Sequence, residues 1–255
     1  MTKALNNRVA VITGASSGIG RSIALAFAAE GAAVVLLARR EAKVEEVASE
    51  IRKTGGQAVA VAGDAAQTAD IERLLARARE FSAGLGLGGR LDIVVVNAGR
   101  GLAGGLLASD EAQWRQVYEI NVLGAAALMR RAGEILVQQG CGDIVVLGSA
   151  VGVNVSPFSG FYGSSKFAVE GLTEGLRREI CGRGVRVTLI RPGIVESEFQ
   201  AVAGYTYDNL FKHIARFGPL LKPEDVARSV VFVVAQPPGV HVNELVIRPT
   251  GQDYP

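Results

Sequence analysis

Short, almost wholly apolar runs alternate along this chain with longer stretches of mixed polarity. The apolar runs fall at residues 9–13, 33–38, 58–62, 93–96, 144–147 and 185–190, and 243–247 is a candidate seventh. They are rich in Val, Ile or Leu and have almost no polar alternation, which is how strands buried on both faces read. The intervening stretches 19–30, 42–54, 69–82, 110–138, 161–183 and 223–234 carry the spacing of helices. Pro223 suits the first turn of the last of these, and Glu224 and Asp225 beside it favour a helix N-terminus. Strand–helix alternation predicts an α/β fold: a doubly wound, mostly parallel Rossmann-type sheet of about seven strands with helices on both faces. We find no internal repeat and no polar linker long enough to divide the chain, so 1–255 is expected to be a single domain. Two segments break the rhythm. Residues 82–90 (SAGLGLGGR) form a Gly-rich surface loop, and 199–221 is either a substrate lid or a helical excursion, with the lid favoured because loops beyond strand ends carry binding in such folds.

Composition narrows the function classes. Charged residues make up 20% and the formal net charge is +2, short of the clustered basic face of a nucleic-acid binder. The hydrophobic fraction of 49% fits either a membrane protein or a large buried sheet. No run of about 18 uncharged apolar residues exists, so no membrane span is expected. The first eight residues include Asn6 and Asn7 and lack the apolar core of a secretory signal, so the expected location is the cytoplasm. Cys141 and Cys181 have no CxxC spacing and are expected to be free thiols. His213 and His241 are too far apart in sequence for a typical zinc pair, so no metal is expected.

The first strand runs into Thr13-Gly14-Ala15-Ser16-Ser17-Gly18-Ile19-Gly20. Glycines allow a tight turn and a close approach to a pyrophosphate, and the following helix aims free N–H groups and its positive dipole end at that charge. The GxxxGxG spacing differs from GxGxxG but serves the same geometry, although three glycines can also serve a mere turn. The acidic residue that would accept the ribose 2′-OH hydrogens of NAD is missing: the second strand ends at Ala38, followed by Arg39 and Arg40. Guanidinium groups suit a phosphate, and Ser16 adds a hydroxyl, so NADP is preferred over NAD, with NAD use possible. The competing reading makes both arginines ordinary surface charges.

Tyr162-Gly163-Ser164-Ser165-Lys166 places a phenol and an ammonium four residues apart on one helix face. A nearby ammonium lowers a phenol's pKa from about 10 and makes it a proton donor and acceptor near neutral pH. Alone the pattern is weak, since a solvated Tyr–Lys pair has the same spacing. Ser149, Asn97-Ala98-Gly99 and Pro192-Gly193 follow the fifth, fourth and sixth strands, on the edge where a parallel sheet binds ligands.

With these motifs in this order, nearly the whole chain resembles the short-chain dehydrogenase/reductase family in its single-domain form. The matching residues are Thr13 to Gly20, Asp64-Ala65, Asn97-Ala98-Gly99, Asn121, Ser149, Tyr162 with Lys166, and Pro192-Gly193-Ile194-Val195-Glu196-Ser197. The resemblance implies Tyr162 as general acid and base, Lys166 as the group that tunes it and holds the nicotinamide ribose, and Ser149 as a donor to the substrate oxygen. It implies Asn121 as the residue that positions a relay water, although a helix-interior Asn can simply bond backbone. Asp64 resembles the residue beside the adenine amino group, or it is a helix cap. Ile194 and Ser197 match the segment that fixes the carboxamide. Val96 stands where the family often has a first Asn, and Ser197 stands for the usual Thr.

The expected function is hydride transfer between nicotinamide and a small-molecule carbonyl or secondary alcohol, without a metal. A 3-oxoacyl thioester, a steroid-like ketone, a xenobiotic carbonyl and a hydroxy acid are all candidates, with a small or medium carbonyl favoured. Ala103, Leu106, Phe158, Phe199, Tyr205 and Tyr207 are candidate pocket residues. The resemblance further implies a homo-oligomer, dimer or tetramer, paired through helices 110–138 and 161–183. A dinucleotide-sensing binding protein without turnover is the rival reading, because fold alone does not imply catalysis. A sugar-nucleotide epimerase or dehydratase also uses YxxxK, but such chains carry a larger C-terminal substrate domain.

Overall fold

A computed structural model describes residues 3–154, 156–205, 212 and 214–254. Seven parallel strands form one sheet in the order β3-β2-β1-β4-β5-β6-β7. They are β1 (Val9–Thr13), β2 (Ala33–Ala38), β3 (Gln57–Ala62), β4 (Ile93–Val96), β5 (Gly142–Leu147), β6 (Val185–Pro192) and β7 (Glu244–Ile247). The chain winds outward from β1 to β3, then returns to β4 on the other side of β1. That reversal opens a crevice at the carboxyl ends of β1 and β4, where doubly wound sheets bind ligands.

The helices are α1 (Gly18–Ala29), α2 (Glu41–Lys53), α3 (Thr68–Gly84), α4 (Trp114–Tyr118), α5 (Ala125–Gln139), α6 (Gly160–Ile180), α7 (Phe199–Ala203) and α8 (Pro223–Val234). Two cores cover the two sheet faces. One joins Ile23 and Phe27 of α1, Val44 and Ile51 of α2 and Val226 and Val230 of α8 to Ile12, Leu36, Val95 and Ile190. The other joins Leu74 and Ala78 of α3, Leu128 and Ala132 of α5 and Val169 of α6 to Val11, Leu37, Val94 and Val146. Successive strand residues therefore serve opposite cores, which is why the strands lack polar alternation.

The stretch 110–138, expected as one helix, is interrupted. A 3₁₀ turn (Glu111–Gln113) leads into α4, a π turn follows at Glu119–Gly124, and only then does α5 begin. The physical reason lies at Asn121. Its Oδ1 accepts from Arg100 N at 2.8 Å, and its Nδ2 donates to Arg100 O at 2.9 Å and to Ser165 Oγ at 3.0 Å. One side chain thus ties the β4 exit, this helix and α6 together, and the helix widens locally around it, as π turns at functional sites often do. No helix among the described residues is long and apolar enough to cross a membrane.

Candidate active site

The crevice is a cleft of ≈ 820 Å³. Along one end runs the phosphate loop, where Gly14 (φ +66°) and Gly18 (φ +53°) adopt left-handed backbone. A Cβ on Gly14 would stand 2.9 Å from Asn97 Nδ2, so the loop packs directly onto the β4 exit. Thr13 and Asn97 hold that junction: Asn97 N and Ala98 N both donate to Thr13 Oγ1 at 3.1 Å, and Asn97 Nδ2 donates to Thr13 O at 2.8 Å. Ser17 N-caps α1 in extended conformation without a side-chain capping bond, which leaves first-turn N–H groups for an anion. Substituting Gly20 with alanine places a Cβ against Gly14 O and Asn97 Nδ2. We expect that variant to lose about 1–3 kcal/mol of stability through overpacking, read as a lower Tm, together with dinucleotide binding. Unchanged melting and binding would contradict the packing described.

The two arginines differ. Arg40 donates to Ser17 Oγ at 2.8 Å and Ser16 Oγ at 3.1 Å, and pairs with Glu198 at 3.0 Å across the cleft. The hydrogen bond from Arg40 holds the Glu198 carboxyl below the usual carboxylate range. Arg39 lines the cleft, exposed and without a partner among the described residues. Asp64 also lines it, and its Oδ1 accepts from Ala66 N at 3.0 Å. It closes the turn before α3, whose N-cap is Gln67, so it is not a helix cap.

At the far end, Ser149 follows β5 and N-caps a 3₁₀ turn (Ala150–Gly152), its Oγ accepting from Val151 N at 3.3 Å. Tyr162 and Lys166, each 8% exposed, sit in the first turns of α6. Ser149 and Tyr162 line the same cleft, and the Ser149 hydroxyl is near enough to act on the Tyr162 phenol. Lys166 Nζ donates to Leu147 O at 2.7 Å and lies 5.9 Å from the Tyr162 ring centroid. Burial pushes Lys166 down to about 8, against the pull of the Glu170 carboxylate. The phenol departs from expectation. Burial raises Tyr162 above its ordinary value, the nearby Ser149 hydroxyl opposes this, and Tyr205 and Glu170 add to the rise. Sequence spacing predicts the proximity of the ammonium but not the desolvation, which dominates in the free protein.

Gly14, Ser16, Ser17, Gly18, Ile19, Gly20, Ala65, Asn97, Ala98, Gly99, Pro192, Gly193, Ile194 and Ser197 line the same cleft as Arg39, Arg40, Asp64, Ser149, Tyr162 and Lys166. Asn121 does not line it. It is 2% exposed, and its side chain is committed to Arg100 and Ser165. The fit of this cleft to a dinucleotide rests on its own features: glycines with no room for a Cβ, an uncapped helix start and two guanidinium groups at one end.

The model of the short chain dehydrogenase family matches residues 8–207. The chain belongs to the short-chain dehydrogenase/reductase family. Dehydrogenase/reductase SDR family member 11 of Mus musculus is 33% identical over 262 residues, covering 96% of this chain and 95% of that protein. An alcohol dehydrogenase from Thermococcus sibiricus complexed with 5-hydroxy-NADP is 30% identical, with a TM-score of 0.81 over 96% of this chain and 97% of that one. A 3-ketoacyl-(acyl-carrier-protein) reductase from Brucella melitensis complexed with NADH is 28% identical, with a TM-score of 0.81 over 95% and 97%. This short-chain dehydrogenase/reductase is therefore an oxidoreductase.

Of the candidate substrate residues, Phe158, Phe199 and Tyr205 line the cleft of this dehydrogenase/reductase, whereas Ala103 and Leu106 are not among its lining residues. Tyr207 and His213 lie outside the described residues, as does much of the expected lid between 206 and 213. Sequence reasoning missed Glu198, Gln252 and Glu170. Gln252 comes from near the C-terminus, and its Oε1 accepts from Ile194 N at 2.9 Å. No local pattern announces that contact. Glu170 had a signal, because it stands four residues after Lys166 on the same helix face.

Proposed function

We propose that this enzyme is an NADP(H)-preferring oxidoreductase acting on a small or medium carbonyl or secondary alcohol, with Ser149, Tyr162 and Lys166 as its reacting set. The observation that carries the reading is that Ser149, Tyr162 and the buried Lys166, whose Nζ donates to Leu147 O, line the same cleft as the phosphate loop. When bound, the dinucleotide gives or takes the hydride at its nicotinamide ring. Ser149 donates a hydrogen bond to the carbonyl oxygen and stabilises the charge that develops there. Tyr162 gives its phenolic proton to that oxygen during reduction, and accepts it in the reverse direction. Lys166 stabilises the resulting phenolate by charge. Asn121 acts in this scheme by fixing the β4 exit and Ser165 rather than by a side chain in the cleft.

Arg39 and Arg40 with Ser16 favour a 2′-phosphate, and no carboxylate stands at Ala38 to repel it. Leu123, Phe167 and Leu172 are exposed apolar residues on the π turn and α6, and they support self-association through those helices. Cys141 and Cys181 stand free and exposed, which suits the reducing cytoplasm. The reading also takes the chain as one dinucleotide-binding and catalytic domain with a lid over 199–221. A screen of ketones, thioesters and hydroxy acids, following NADPH absorbance and repeated with NADH, tests it. Turnover of at least one carbonyl with NADPH ahead of NADH is expected. Dinucleotide binding without turnover across the panel would favour the sensing protein instead.

A further inference from the structure

Glu170 has no part in the reaction scheme above, yet its carboxylate is 6% exposed beneath the catalytic turn. A buried carboxylate persists only when paired and hydrogen-bonded. Glu170 Oε1 accepts from Ser149 N at 3.3 Å, and Oε2 accepts from Arg191 Nε at 2.8 Å. Arg191 reaches in from β6 and also pairs with Glu244 of β7 at 2.6 Å. The turn around Ser149 is shaped to this carboxylate. A Cβ on Gly148 would stand 2.7 Å from Oε1, and one on Gly152 would overlap it. The two glycines flanking the catalytic serine thus leave room for one acidic side chain.

We infer that Glu170 is a positioning residue for hydride transfer: it fixes the Ser149 turn through the serine's backbone N–H, and its negative charge, one helical turn from Lys166, keeps that group an ammonium. The inference rests on the roles proposed for Ser149, Tyr162 and Lys166.

Lys166 faces Leu147 O, the Tyr162 ring and the field of Glu170. Tyr162 faces the Ser149 hydroxyl, Tyr205 and Glu170, and Tyr205 in turn lies near the Ser159 hydroxyl. A carboxylate favours the protonated form of both an amine and a phenol. Its loss therefore lowers the pH at which each gives up its proton.

The test is the pH profile of kcat/KM for NADPH-dependent reduction, which reports groups of the free enzyme. Glu170→Gln keeps the shape and removes the charge. Its alkaline limb is expected to fall about half a pH unit or more below that of the wild type. Glu170→Asp keeps the charge but withdraws it from Ser149 N, so its limb stays with the wild type while kcat falls about tenfold or more. Should Glu170→Gln alone fail to fold around an under-paired Arg191, Glu170→Gln/Arg191→Met removes both charges of the pair, and its limb is expected to stay below that of the wild type because the carboxylate one helical turn from Lys166 is gone. The pH dependence of NADPH binding, read by cofactor fluorescence without substrate, should move the same way. A wild type that reduces no carbonyl overturns the enzymatic reading itself. A working wild type whose limb is matched by both neutral variants overturns only the role of Glu170.

Discussion

Tyr162→Phe is expected to lower carbonyl reduction by about a hundredfold or more while NADPH binding stays nearly unchanged. The substitution removes one oxygen from a side chain that is 8% exposed, and leaves the ring packed against Phe199 at 5.6 Å. The loss should therefore fall on turnover, and not on stability or on cofactor affinity. Steady-state kinetics with a fluorescence titration of NADPH separates the two. Near-normal turnover would remove Tyr162 as the acid. Loss of NADPH binding in parallel would make it a cofactor residue instead.

Arg39→Ala is expected to weaken NADPH by roughly tenfold to a hundredfold and to leave NADH almost unaffected. Hydrogen bonds to charged groups contribute about 1.5–3 kcal/mol each, and each 1.4 kcal/mol is a factor of ten. Arg39 is the better test of the pair, because Arg40 is engaged with Ser16, Ser17 and Glu198 in the free protein. Substituting Arg40 would also release Glu198, mixing two effects. Dissociation constants for both dinucleotides on wild type and variant decide the matter. Equal weakening of NADPH and NADH would take away the case for a 2′-phosphate site at the end of β2.

Much of this architecture was legible in the sequence. The strands at 9–13, 33–38 and 93–96 stand as expected, because runs buried on both faces carry their signal locally. β5 begins earlier, at Gly142, and β6 ends later, at Pro192, since pairing with a neighbouring strand carries the ladder past the apolar run. The cleft residues were legible because they follow strand ends. The break around Asn121 was not, because it depends on a side chain bonding Arg100 and Ser165, distant in sequence. The Glu170–Arg191–Glu244 chain is of the same kind, drawing on α6, β6 and β7. The direction of the Tyr162 shift was also out of reach. Spacing predicts which groups are neighbours, but burial emerges only once α6, the β5 exit and Phe199 close around the ring.

The most direct test of the central claim is isotope transfer. NADPH carrying deuterium at nicotinamide C4, in each of its two configurations, is incubated with the wild-type enzyme and a reducible ketone in ordinary water. The account predicts deuterium on the carbinol carbon of the product from one of the two labelled forms, and about a hundredfold less of it with Tyr162→Phe at matched times. Product alcohol that takes its carbon-bound hydrogen from water, with neither label transferred, would contradict it.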